Sequence, residues 1–386
     1  MENTNFKLKT KVLNRAVSFT SLLLAAGVFI VLLTACPNTA GGLGGESTPS
    51  GGSVTPSDFG SFEDAGDYVK ITPSANGIIG VAPDESTLPG TEDYWKGVFI
   101  KDRKVKLSPY MLGKTEVTYE KWYEVRVWAE GNGYTFANKG LEGWDGTGGG
   151  SWPNYANIGK PPTGNKNHPV TNISWRDCIV WCNAYTEMVK GSDAECVYRK
   201  SKVDTAVLKS ANDTSACDNA YADMNKKGYR LPIEVEWEYA ARWQGSDSTN
   251  AEKYGDLYLT KLWSASGAKD KWDTDETGKV AWYHNNSGGK THSVGEKRAN
   301  YLGLYNMSGN VWEWCFDWWN NDPKAGDEPD GDGFVTDPQG AVDGSTRVVR
   351  GGGWDNNADY CTVGARNNGY PDERNDYIGL RLACRP

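Results

Sequence analysis

The segment from Gly303 to Trp319, Gly-Leu-Tyr-Asn-Met-Ser-Gly-Asn-Val-Trp-Glu-Trp-Cys-Phe-Asp-Trp-Trp, constrains the fold more than any other. It is too aromatic to lie as a surface loop, so the chain must close a core around it. The rest of the sequence is of the same kind. With 17 Trp, 20 Tyr and 46 Gly against 5 Met, it suits a large, loop-rich domain stapled by aromatic rings better than a helical bundle. Such rings bury large areas and still satisfy a polar tip.

The N-terminus reads as an export signal. Lys7, Lys9, Lys11 and Arg15 precede an uncharged apolar run from Ala16 to Ala35, which ends Leu33-Thr34-Ala35-Cys36. Small residues before a cysteine are the pattern of a signal peptide (1–35) cut so that Cys36 carries acyl chains. The alternative is an uncleaved anchor, because about 20 apolar residues can span a bilayer. Either reading puts the remainder outside the cytoplasm. The lipid reading places it on a membrane, the expectation being the outer membrane and cell surface, because Pro37 in place of an acid gives no sign of inner-membrane retention. Residues 36–58 are dominated by Gly, Ser, Thr and Pro after the cysteine and form a flexible tether. The ordered domain is 59–386.

The net charge is −9 with no basic stripe, which argues against nucleic acid as a partner. His168, His284 and His292 are scattered without metal-ligand spacing, excluding a zinc site. Beyond Cys36 there are seven cysteines, an odd number, so at least one is free or pairs outside the chain. Cys178 and Cys182 share a helix face as small core residues.

Local signals place several elements. Thr118 and Ser174 are N-cap residues, and Asp177 stands three after Ser174 where a capping box puts an acid. A helix follows from Trp175 to about Val189, and 191–227 is a hairpin and loop excursion. In Gly228-Tyr-Arg-Leu-Pro-Ile-Glu-Val-Glu-Trp-Glu-Tyr-Ala-Ala-Arg242, Pro232 suits the first helical turn and Glu234 the positive helix end. Trp237, Tyr239 and Ala240 face inward. Arg347–Trp354 is a strand entering a glycine turn, and Tyr377–Ala383 is a closing strand.

Five segments in this order, Lys114–Thr118, His168–Trp175, Gly228–Arg242, Gly303–Trp319 and Arg347–Ala383, resemble the formylglycine-generating-enzyme, or sulfatase-modifying-factor, family. The likeness covers residues 80 to 386. It implies an α+β fold of the C-type-lectin kind, poor in regular structure. It also implies a test of activity, because fold does not fix function. The enzymes carry two copper-binding cysteines after their glycine turn, thiolates being suitable soft ligands. Here those positions are Asn356 and Cys361, and one thiolate cannot form the two-coordinate clamp. Cys361 then reads as buried, or as disulfide-bonded to Cys315 or Cys384. No cofactor is required, though the family's structural calcium matches Asn306, Gly309, Val311 through its carbonyl, and Glu313. The acidic loop 327–332 is a second place for a hard cation or, more simply, a solvated turn.

Between Trp354 and Ile378, Asn, Asp and Tyr take 12 of 23 positions, so the segment is either an ordinary polar loop or a binding face. Tyr supplies rigid contact area while Asn and Asp supply adaptable hydrogen bonds, as in antibody loops. The Asn-rich C-terminus also resembles the variable proteins of diversity-generating retroelements. These place mutagenised Asn codons at the end of a lectin-like fold. In this resemblance 347–386 is the variable region. The ligand-binding positions are Asp355, Asn356, Asn357, Asp359, Tyr360, Asn367, Asn368, Gly369, Tyr370, Asp372, Glu373, Asn375, Asp376 and Tyr377. The expected partners are then varied proteins or surface ligands bound without chemistry. A formylglycine-generating-type oxidase and a fixed lectin-like adhesin are the alternatives.

Overall fold

The computed structural model describes residues 59–143, 155–270 and 274–386. The signal segment, Cys36 and the tether lie outside the described residues.

Short strands and connecting loops dominate among the described residues, with two longer helices and three shorter ones. One sheet runs in the order Ser61–Ala65, Tyr68–Thr72, Tyr110–Gly113, Ala383–Cys384, so the end of the chain returns beside its beginning. A second sheet carries the candidate face in the order Arg366–Gly369, Arg347–Arg350, Trp312–Trp318, Ile378–Gly379. Arg347 pairs with Gly369 and Arg350 with Arg366 in antiparallel register, while Trp312 pairs with Ile378 in parallel. The expected closing strand is thus two short strands in different sheets. Tyr377 precedes the first of them, and Leu380 bonds to Val117 N in between.

The helices begin where their caps allow. Thr118 Oγ1 accepts from Lys121 N and starts Tyr119–Glu130. Ser174 and Asp177 form the expected capping box of Trp175–Lys190, and Gly191 at φ 69° ends it in the left-handed region. Asp177 is also buried, and it accepts from Ala137 N and Asn138, tying the loop after the first helix to the start of the second. The helix Glu234–Arg242 starts two residues after Pro232, not on it. Pro232 is instead used through its carbonyl, which accepts from Phe316 N, while Asp317 takes the Glu234 N–H and Glu236 the Ile233 N–H. An aspartate from the neighbouring strand therefore caps this helix. The excursion at 191–227 holds the Tyr198–Arg199/Tyr221–Ala222 pair and a short helix, Thr214–Asp218.

The aromatic segment occupies the core as expected: Trp312, Trp314 and Phe316 are buried. Trp122 and Trp181 stack at 5.4 Å between the two long helices, and Trp175 abuts Phe316 at 5.9 Å. Arg347, also buried, lies with its guanidinium 3.6 Å from the Trp175 ring centre and 3.3 Å from that of Trp318. All seven described cysteines are buried free thiols, so Cys178 and Cys182 are core residues and Cys361 pairs with neither Cys315 nor Cys384.

Candidate functional site

The candidate face rests on a buried ionic lattice. Glu234 receives Arg366 at 2.7 and 2.8 Å and Arg350 at 2.8 Å, and Glu238 receives Arg350 at 3.0 Å and Arg242 at 2.7 Å. The helix Glu234–Arg242 is thereby locked to two adjacent strands of the second sheet, Arg347–Arg350 and the edge strand Arg366–Gly369. Burial opposes charge on Glu234, but Arg366 and Arg350 outweigh it and hold its carboxyl down to about 2.

From this base the chain turns through Gly351-Gly352-Gly353. Gly352 needs to be glycine: its φ is +76°, and a Cβ there would stand 2.7 Å from Tyr360 O and 2.9 Å from Cys361 Sγ. The turn is closed by Asn356, whose Oδ1 accepts from Gly353 N at 2.9 Å. The loop 281–292 supports it from below, through His284 N to Asn356 O, Ser287 Oγ to Trp354 O and Asn310 N to Trp282 O. The second half of the face is pinned through its backbone by Asn172 N to Asn375 O and Arg176 N to Pro371 O.

Twelve of the fourteen expected positions reach the surface in some degree. Asn357, Tyr370 and Asp372 are exposed, and Asp355, Asn356, Asp359, Tyr360, Asn367, Asn368, Glu373, Asn375 and Tyr377 are half-buried. Gly369 and Asp376 depart from expectation, because both are buried. Gly369 lies in a strand against Trp314, and a Cβ would meet the Trp314 ring at 2.8 Å, so this position cannot freely carry a side chain. Tyr360 leans inward, 5.2 Å from Trp95 and 6.3 Å from Trp312. Tyr370, at 62% exposure, projects outward. A polar web links Tyr370 N to Glu373, and Glu373 and Tyr377 to Asn375.

An open cleft of about 780 Å³ lies between Tyr370, Asp372, Glu373 and Arg374 on one wall and Tyr155, Ile158 and Asn172 on the other. The second wall was not legible in the sequence, because its residues are some 200 positions away and bear no motif. Asn172 does carry a structural signature, a left-handed φ of 56° just before the Ser174 cap.

Neither expected metal set suits a cation. Glu313 is buried with Arg381 at 2.6 Å and the Trp237 indole at 2.8 Å, so its charge is already neutralised by a guanidinium. Asn306 Oδ1 accepts from Gly295 N, Gly309 N donates to Gly351 O, and Val311 is wholly buried. A calcium ion would face the Arg381 charge, and the residues present do not fit it. In the acidic loop Asp327 binds Arg103, Asp332 binds Lys106 and Asp330 accepts from Thr336. Among the described residues there is no group of three or more His, Cys, Asp or Glu side chains able to hold a metal. At the oxidase positions, Asn356 is engaged with the glycine turn. Cys361 is wholly buried, which pushes its thiol well up and disfavours thiolate.

A family model described as the sulfatase-modifying factor enzyme 1-like domain matches residues 81–386. Among solved structures, Treponema denticola variable protein 1 is similar, at 33% identity and a TM-score of 0.53, covering 85% of this chain and 99% of that one. PvdO from Pseudomonas aeruginosa shares the fold, at 19% identity and a TM-score of 0.50 over 82% of this chain and 94% of that one. The formylglycine-generating enzyme of Thermomonospora curvata is 30% identical over 251 residues, 63% of this chain. The match spans 64% of that enzyme, under two thirds of its length.

Proposed function

The chain belongs to the sulfatase-modifying factor enzyme 1-like family and has its α+β, C-type-lectin fold; from that premise we propose that it is a binding protein, without catalysis, whose C-terminal face is diversified by a retroelement. The observation that carries this reading is the division of labour within 347–386. Arg347, Arg350, Arg366 and the glycine turn are buried and committed to the scaffold, while the Asn, Asp and Tyr residues of 355–377 other than Asp376 reach the surface. Such an arrangement lets side chains on the face change while the sheet beneath them keeps its packing.

The likeness to a protein described as variable supports the same reading. The incomplete thiol pair weighs against oxidation, because Cys361 is buried and position 356 is an amide that stabilises its own turn. Lipid on Cys36 would hold the domain on the outer membrane, facing protein or surface ligands. The Leu-Thr-Ala-Cys pattern supports this anchoring.

Sequencing DNA around the gene tests the proposal. The expected result is a near-copy of the stretch coding 347–385, differing almost only at adenines, beside a reverse transcriptase. Without such a copy the diversified reading fails and a fixed adhesin replaces it. Turnover of a cysteine peptide by the copper-loaded protein would instead restore the oxidase.

A further inference from the structure

Asp355 and Asp376 each keep one buried carboxylate oxygen, Oδ1 and Oδ2 respectively, with no hydrogen-bond partner among the described residues. Asp376 is only 7% exposed. A buried acceptor left unpaired costs stability, so a native fold that keeps two of them on one face leaves places for donors to fill.

The two acids belong to one cluster. The Trp354 indole donates to Asp376 O at 3.1 Å, tying the two segments together. A Cβ at Gly353 would stand 3.1 Å from Asp355 Oδ1 and 3.5 Å from Tyr377 Cβ, so Asp355 and Tyr377 flank the same point. Burial pushes the Asp355 carboxyl up and the Asp376 charge pushes it further, opposed by its own backbone N–H and by His284, while burial raises Asp376 against the pull of its own backbone N–H. Tyr155, Cys361, Tyr377 and Glu373 are further titratable groups whose fields meet here. The surrounding face adds Asp359, Asp372 and Glu373. Of its two arginines, Arg366 is committed to Glu234 and only Arg374 is exposed.

An acidic face with Trp354 and Tyr377 beside its two acids favours a positive occupant. A hard divalent cation needs six or more oxygens, and no metal-binding group of three acids is present among the described residues. An ammonium or guanidinium needs only a few acceptors and gains from aromatic faces. We propose that this face takes a cationic side chain, a lysine or arginine presented by a protein ligand, with its charged end at Asp355 and Asp376 and its stem along Trp354 and Tyr377. This rests on the ligand-binding reading above and names the chemistry that the present set of face residues selects.

The test is calorimetric titration of the full chain with tetralysine and with tetralysine acetylated on every side chain, which keeps the stems and removes the charges. Tetralysine should bind and the acetylated peptide should not. The double variant Asp355→Asn/Asp376→Asn should lose about tenfold or more in affinity. Glu63→Gln/Asp67→Asn, which removes the same charge from exposed positions away from the face, should lose less than about twofold. Thermal melting should show the Asp355→Asn/Asp376→Asn protein at least as stable as the parent, because it removes two unpaired carboxylates. Equal losses in both double variants, undiminished binding in the first, binding of the acetylated peptide, or no tetralysine binding at millimolar concentration would each overturn the inference. If that happened while the adenine-marked gene copy was found, only the cation recognition would fall. If tetralysine bound as expected and no copy existed, only the diversification would fall.

Discussion

The Arg366 guanidinium holds both carboxylate oxygens of Glu234 in a two-pronged contact, 2.7 and 2.8 Å long, inside the protein. Arg366 opens the strand that carries Asn367 and Asn368, and Glu234 opens the helix beneath, so this pair sets the height of the face above the core. Replacing Glu234 with Ala leaves Arg366 and Arg350 buried without their shared counter-charge and should cost about 3–5 kcal/mol. Arg366→Met should cost less, because Glu234 keeps Arg350. Urea unfolding of the two variants checks the order. The sign with pH follows from Glu234: its folded carboxyl is held below the unfolded value, so its contribution is present above pH 4.5 and is lost as pH falls toward about 2.

Glu116 gives the opposite slope. It is buried beside Glu313 and Arg381, with Oε1 accepting from Asn310 at 3.0 Å and Oε2 unpartnered. Burial pushes its carboxyl up to about 8 against the pull of Arg381. The folded state therefore binds a proton that the unfolded state has released. Its contribution is complete below pH 4.5 and is lost as pH rises through about 8. Glu116→Gln should flatten the stability profile between these limits, where each unit of pH is worth at most about 1.4 kcal/mol. Thermal melts at half-unit steps read it directly.

The caps at Thr118 and Ser174, the inward face of Trp237 and Tyr239, and the glycine turn were legible because each is a local signal: a side chain bonding three residues away, a helical period, a φ that only glycine tolerates cheaply. The start of the helix Glu234–Arg242 was not, because its cap is Asp317, 83 residues further on from Glu234. Nor could sequence separate Gly369 and Asp376 from their polar neighbours. Their burial comes from Trp314 and from the packing of distant segments, which composition does not encode. The environment of the calcium set was hidden for a related reason. Its ligand types are all present, but Arg381 comes from another segment to neutralise Glu313.

The three tyrosines of the face should separate by burial. Tyr370 is 62% exposed, so Tyr370→Ala should change stability by less than about 0.5 kcal/mol while weakening ligand binding by about 2 kcal/mol. Tyr360 packs on Trp95 and Trp312, so its truncation should cost about 1–3 kcal/mol of stability. Tyr377 is half-buried and bonded to Asn375, and should show both effects. Paired denaturation and binding measurements on the three single variants distinguish these outcomes. Equal destabilisation by all three would remove the distinction between anchor and scaffold.

The buried thiols make a chemical prediction about the oxidase alternative. Burial pushes the Cys361 thiol well up, and Cys178, Cys182, Cys196, Cys217, Cys315 and Cys384 are likewise buried and raised. Thiolate is the reactive form, so none of the seven should react with a thiol reagent in the native domain at neutral pH, and all seven should react after denaturation. A native cysteine that reacts quickly and maps to Cys361 would mean that the turn opens and that oxidation deserves a direct assay.

Gly369 places a limit on how far the face can vary. A side chain there meets the Trp314 ring and the Glu373 carboxylate, each 2.8 Å from the Cβ position, and the strand pairing to Arg347 leaves the backbone little room to retreat. Gly369→Ala should cost about 1–3 kcal/mol and Gly369→Tyr more, whereas Asn357→Tyr, at an exposed position, should be tolerated within about 0.5 kcal/mol. If copies of the gene differ in the way proposed, they should spread widely at 357, 370 and 372 and stay glycine at 369. Large residues recovered at 369 in folded, stable copies would show that Trp314 can move aside and that the floor of the site is itself part of what varies.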